Sequence, residues 1–100
     1  MNTDADKRQH PRIPVETEYR LFIGGQYYVG KTSNISANGA FLVVPPPGLP
    51  QSCISQFGDL DVFLHDQWQH FRCQIVFVGA DQDTLSSGAG VENIFARHLD

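Results

Sequence analysis

Between Ile13 and Ile23 the chain alternates without interruption. Ile13, Val15, Thr17, Tyr19, Leu21 and Ile23 take one side, and Pro14, Glu16, Glu18 and Arg20 take the other. A period of two held over this length predicts a half-buried β-strand and is incompatible with a helical face. Gly24-Gly25 follows at once and reads as a hairpin turn, because glycine enters positive φ without penalty. Gln26–Ser36, rich in Tyr, Val, Thr and Ile, is the returning strand. Asn38-Gly39 is a second turn signal, and Ala40–Val44 a third, apolar strand.

Pro45-Pro46-Pro47-Gly48-Leu49-Pro50 cannot join a sheet interior, since proline has no N–H for the ladder. It predicts a stiff loop outside the fold, with room for a short helical turn after Pro50. Leu60, Val62 and Leu64 alternate with Asp59, Asp61, Phe63 and His65 as a fourth strand, and His65-Asp66-Gln67 turns the chain. Phe71, Cys73, Ile75 and Phe77 define one side of a fifth strand, with Val76 and Val78 on the other. Ala80–Gly88 is polar and loop-like, and Ala89–Ile94 is a sixth strand. Phe95–Asp100 either extends it or forms a short helical turn. No stretch sustains a helical period beyond about two turns. Strands about ten residues apart, with turn signals between them, predict an all-β antiparallel sandwich or small barrel.

One hundred residues, 41% hydrophobic and 11% aromatic, support one core and exclude a two-domain enzyme with a cleft between its halves. No apolar run approaches the ~20 residues of a membrane helix, and the first residues do not resemble a secretion signal. A cytoplasmic location is therefore expected. Cys53 and Cys73 form no C-x-x-C pair and read as buried small hydrophobes in a reducing compartment.

A net charge of −4 argues against binding nucleic-acid polymers. The charge is unevenly spread, however. Lys7, Arg8, Arg12, Arg20 and Lys31 outnumber Asp4, Asp6, Glu16 and Glu18 in the first third. Beyond it only Arg72 and Arg97 face Asp59, Asp61, Asp66, Asp81, Asp83, Glu92 and Asp100. A small anion is drawn to the N-terminal third.

Catalytic signatures are missing: there is no G-x-S-x-G, P-loop, G-x-G-x-x-G or H-E-x-x-H. His10, His65, His70 and His98 lack zinc-site spacing, and Asp59, Asp61 and Asp66 lack the glycine and terminal glutamate of a calcium loop. No catalytic or metal-ligating residues are assigned, and no cofactor is expected.

Two short motifs remain. Arg8-Gln9-His10-Pro11-Arg12 is an R-x-x-x-R, and Asn34-Ile35-Ser36-Ala37-Asn38-Gly39 has the form [D/N]-x-S-x-x-G. Both in this order, one hairpin apart, arise by chance in roughly one chain in a hundred or fewer. The pair resembles the signature of the PilZ domain, the bacterial receptor module for cyclic di-GMP, and the resemblance runs from Lys7 to Gly90-Val91. It implies a six-stranded antiparallel β-barrel over residues 13–100, preceded by a flexible arm over 1–12 that carries the arginines.

The chemistry of these residues suits that ligand. Arginine pairs in a planar fork with phosphate oxygens and with guanine O6 and N7, and stacks on purines. Pro11 disfavours helical geometry at His10, leaving Arg8 and Arg12 on an extended or turned arm. The resemblance implies that Asn34 and Ser36 hydrogen-bond the ligand, and that Gly39 lets the main chain turn and approach. Three features depart from the common pattern. Asn34 stands where many members carry aspartate, Lys7 stands before the arginine pair, and Gly90-Val91-Glu92-Asn93 lacks a final aromatic residue.

The function so implied is non-enzymatic. Cyclic di-GMP reorders the arm on the barrel, and a separate protein partner reads the new surface in control of motility, adhesion or exopolysaccharide. The alternatives are a PilZ-like scaffold of a pilus or flagellar assembly that binds no nucleotide, and a small barrel for single-stranded nucleic acid. The second wants basic residues interleaved with aromatics, whereas the Phe- and Tyr-rich segments here are acidic or neutral.

Overall fold

The computed structural model describes residues 15–36, 38–81 and 85–96, with side chains described as far as Glu92. Expectations for residues 1–14 lie outside them; of the segment Phe95–Asp100, residues 95 and 96 continue the last strand and 97–100 lie outside the described residues. The chain forms β1 (Glu18–Ile23), β2 (Gln26–Ile35), β3 (Gly39–Val43), β4 (Phe57–Leu64), β5 (Gln67–Ala80) and β6 (Ser87–Ala96). A 3-10 turn, Gln51–Cys53, follows Pro50. The strands close into an antiparallel barrel in the order β1-β2-β3-β6-β5-β4. Of the sandwich and the barrel left open by the strand spacing, the barrel is the one formed.

The alternation that predicts β1 places its residues as expected. Tyr19, Leu21 and Ile23 are buried, while Glu18, Arg20 and Phe22 face outward. Gly24 and Gly25 take φ of 61° and 77°, the pair of left-handed residues that a two-residue hairpin needs, and Ile23 pairs with Gln26 across the turn. Leu21, Leu42, Leu60, Cys73, Ile75, Ala89 and Val91 are fully enclosed in the interior, drawn from every strand except β2. Tyr19 adds its ring to that core and donates its hydroxyl to Val43 O at 2.6 Å. Burial raises its phenol far above the ordinary value. The Cys73 thiol is pushed up to about 12, first by burial and then by the Asp59 carboxylate, so it is protonated and unreactive.

Three register shifts interrupt the ladders: two between β5 and β6, at Arg72/Gln74 and Ile75/Phe77, and one between β2 and β3. In β5 the register shifts between Ile75, which faces Val91, and Phe77, which faces Gly90. Val76 is thus the extra residue, and the phase expected for this strand reverses beyond it. Phe77 is 45% exposed instead of inward, and Val78 packs against the core instead of facing solvent. The shift in β2 lies between Thr32 and Asn34, just ahead of the polar motif.

Candidate ligand-binding site

Thr32 is 1% exposed, and its hydroxyl is used twice. Oγ1 donates to Val15 O at 2.6 Å and accepts from Thr17 N at 3.1 Å, while Thr32 N donates to Thr17 O at 2.8 Å. Thr17 Oγ1 in turn donates to Phe63 O on β4 at 2.6 Å. Residues 15–17, which lead into β1, are thereby clasped to β2 beside its bulge. The alternation places Val15, Glu16 and Thr17 in the first strand, yet among the described residues its ladder begins only at Glu18, with residues 15–17 held by this clasp instead.

Asn34 and Ser36 follow on the same strand and in the turn after it. Asn34 is 5% exposed, with Nδ2 donating to Asp81 Oδ2 at 3.2 Å and to Ser33 Oγ at 3.3 Å. Ser33 Oγ donates to the same Asp81 oxygen at 3.3 Å. Ser36 closes the turn: its N donates to Gly39 O at 2.8 Å, and its Oγ accepts from Gly39 N at 3.1 Å. Gly39 does not have positive φ, contrary to a turn role. Its hydrogen side chain is required by packing, because a Cβ there would collide with Val91 O on β6. The structure thus brings Asn34, Ser36 and Gly39 together at one barrel end, whereas Arg8 and Arg12 lie outside the described residues.

Around the barrel from this turn, an aromatic and charged cluster occupies the outer face. The Arg20 guanidinium lies over the Trp68 ring at 4.2 Å, and Trp68 meets Phe63 edge-on with centroids 5.4 Å apart. Asp61 joins the two neighbouring strands, pairing with Arg20 at 3.6 Å and with His70 Nδ1 at 2.7 Å. A groove of about 350 Å³ runs beside it, lined by Glu18, Arg20, Val29, Lys31 and Trp68 among others. Asp59 pairs with Arg72 at 3.6 Å. Asp59 and Asp61 thus serve ion pairs between strands. Among the described residues no three His, Cys, Asp or Glu side chains converge on a point that could hold a metal.

Sequence reasoning missed Thr32 and Asp81. Thr32 falls in a strand where threonine is ordinary, and Asp81 opens a polar loop with nothing to single it out. Their partners lie 17 and 47 residues away, so no local pattern could reveal them.

A search among curated proteins finds no match to this sequence. Among solved structures, the chain is similar to the Bacillus subtilis inhibitor of motility, MotI/DgrA, with a TM-score of 0.71 at 16% identity. The match covers 91% of this chain and 44% of that one, so the chain spans less than half of its neighbour's length. At that identity the likeness shows a shared barrel. A family model for the PilZ domain matches residues 6–97, which takes in both motifs and all six strands. The chain belongs to the PilZ domain family.

Proposed function

We propose that this protein is a receptor for cyclic di-GMP and acts without making or breaking a bond. Arg8 and Arg12 engage the ligand's phosphates and guanines, while Asn34, Ser36 and Gly39 form the fixed side of the site. The observation that carries this reading is the clasp of residues 15–17 onto Thr32. Asn34 follows Thr32 by two residues, about 7 Å along a strand. Arg12 precedes Val15 by three residues, so its Cα lies within about 11 Å of the pinned point, and Arg8 within about 25 Å. Covalent reach therefore allows both halves of the family motif to meet at this end of the barrel. A ligand that bridges them alters the surface there, and a separate cytoplasmic protein reads the change. The fold shared with an inhibitor of motility supports motility control as one output, alongside adhesion and exopolysaccharide.

Amide chemical-shift mapping with cyclic di-GMP tests the placement. Resonances of Asn34, Ser36, Gly39 and the first twelve residues should move together. Shifts confined to the Gly24-Gly25 end of the barrel would contradict it, and no shifts at saturating ligand would favour a nucleotide-independent scaffold.

A further inference from the structure

Asp81 is a buried carboxylate, 7% exposed, that reaches from the β5–β6 connection to the motif on β2. Its main chain is fixed on both sides, since Asp81 N donates to Ser86 O at 2.8 Å and Asp81 O accepts from Leu85 N at 2.7 Å. Its Oδ2 accepts from Asn34 Nδ2 and Ser33 Oγ, and Asn34 Nδ2 also reaches Ser33 Oγ, so three side chains close a small network.

Chemistry decides which end of the Asn34 amide faces Asp81. Two oxygens 3.2 Å apart in a buried setting repel, so the nitrogen must be the atom turned toward the carboxylate. The same reasoning bears on the identity of residue 34. The motif admits aspartate or asparagine there, yet aspartate would set two carboxylates against each other with little water between them. Asparagine keeps the shape and supplies the missing donor.

We propose that Asp81 is a positioning residue for the ligand motif, selecting asparagine over aspartate at position 34 and fixing the direction in which its carboxamide points. The part of this that concerns the ligand rests on the receptor reading above. Asp81 touches no ligand atom in it; it acts through Asn34.

The test uses the full chain and four variants: Asn34→Asp, Asp81→Asn, Asn34→Asp with Asp81→Asn, and Asp81→Ala. Melting without ligand examines the pair itself. Asn34→Asp alone should lower the melting temperature by about 10 °C, as expected for two like charges brought together in a buried setting in a domain this size. Adding Asp81→Asn, which restores one donor facing one carboxylate, should return it to within about 3 °C of wild type. Asn34→Asp that melts like wild type, or that Asp81→Asn does not rescue, overturns the selection of asparagine.

Calorimetric titration with cyclic di-GMP examines positioning. Asp81→Ala should weaken binding about tenfold, and Asp81→Asn, which keeps an acceptor for both donors, by less than about threefold. Wild-type binding with unchanged affinity in Asp81→Ala overturns the positioning role alone. Wild type that fails to bind overturns the receptor reading, and with it the ligand half of this proposal, whatever the melting cycle shows.

Discussion

Replacing Thr32 with valine removes a hydroxyl and almost nothing else. Valine keeps the branched shape and the preference for a strand, and the site is 1% exposed, so no new surface is created. What disappears is one donor to Val15 O and one acceptor for Thr17 N. Each orphaned group costs about 1–3 kcal/mol if fully buried. Residues 15 and 17 are only half-buried and recover some water, so the low end applies and the sum is about 2 kcal/mol. A domain of this length gains about 0.2 kcal/mol/K of entropy on melting, so the midpoint should fall by about 10 °C.

The same change loosens the lead-in to β1, although the bond from Thr32 N to Thr17 O survives. If ligand binding must then fix one more residue, at about 1–2 kcal/mol, affinity should drop about tenfold. Differential scanning calorimetry and ligand titration read the two effects, with Thr32→Ser as the control that keeps both hydroxyl bonds. Thr32→Val melting within about 2 °C of wild type, or Thr32→Ser behaving no better than Thr32→Val, would refute the clasp.

Further outcomes follow from the barrel itself. Ile75→Ala should cost about 2–5 kcal/mol in urea unfolding, and Phe77→Ala less than about 1.5 kcal/mol, because the bulge at Val76 turns Phe77 outward. Equal losses would mean that the two side chains share a face. Cys73 and Tyr19 both have folded-state pKa values raised by burial, so their stabilising effect is complete below the unfolded thiol value. For Cys73 it is lost as pH rises from about 9 toward 12, at about 1.4 kcal/mol per pH unit. Urea midpoints from pH 7 to 11 should show that decline, and Cys73→Ala should flatten its first part. Trp68 is the sole tryptophan, so Arg20→Ala should red-shift the intrinsic emission while costing about 0.5–1 kcal/mol of stability. An unchanged spectrum would place the guanidinium away from the ring.

Much of the barrel is legible along the chain, and the illegible parts share a cause. In β1 every second residue is apolar with charges between, so inside and outside are distinguishable from the letters alone. In β5 the run Ile75-Val76-Phe77-Val78 is apolar throughout, and nothing marks where the phase reverses. The bulge is set by pairing with β6, which local sequence does not encode.

The site divides in the same way. Asn34, Ser36 and Gly39 stand out because a short motif gathers them, although Gly39 owes its identity to the close approach of β6 rather than to a turn. Thr32 ties residues 15–17 to the strand beside that motif and Asp81 accepts from its asparagine, both through long-range bonds, and each looks ordinary in its own stretch of chain. Charge misleads when summed over the chain. The total of −4 suits a protein that avoids polyanions, yet the basic residues gather in the third that carries the arginine pair.

The most direct test of the receptor reading is calorimetric titration of cyclic di-GMP into wild type, Arg8→Ala and Arg12→Ala, with circular dichroism to check that each is folded. Wild type should bind saturably with a dissociation constant on the order of micromolar or tighter, and each alanine variant, equally folded, should lose at least about tenfold in affinity. Absence of heat from wild type at about 50 μM ligand, or full affinity in both variants, would contradict it.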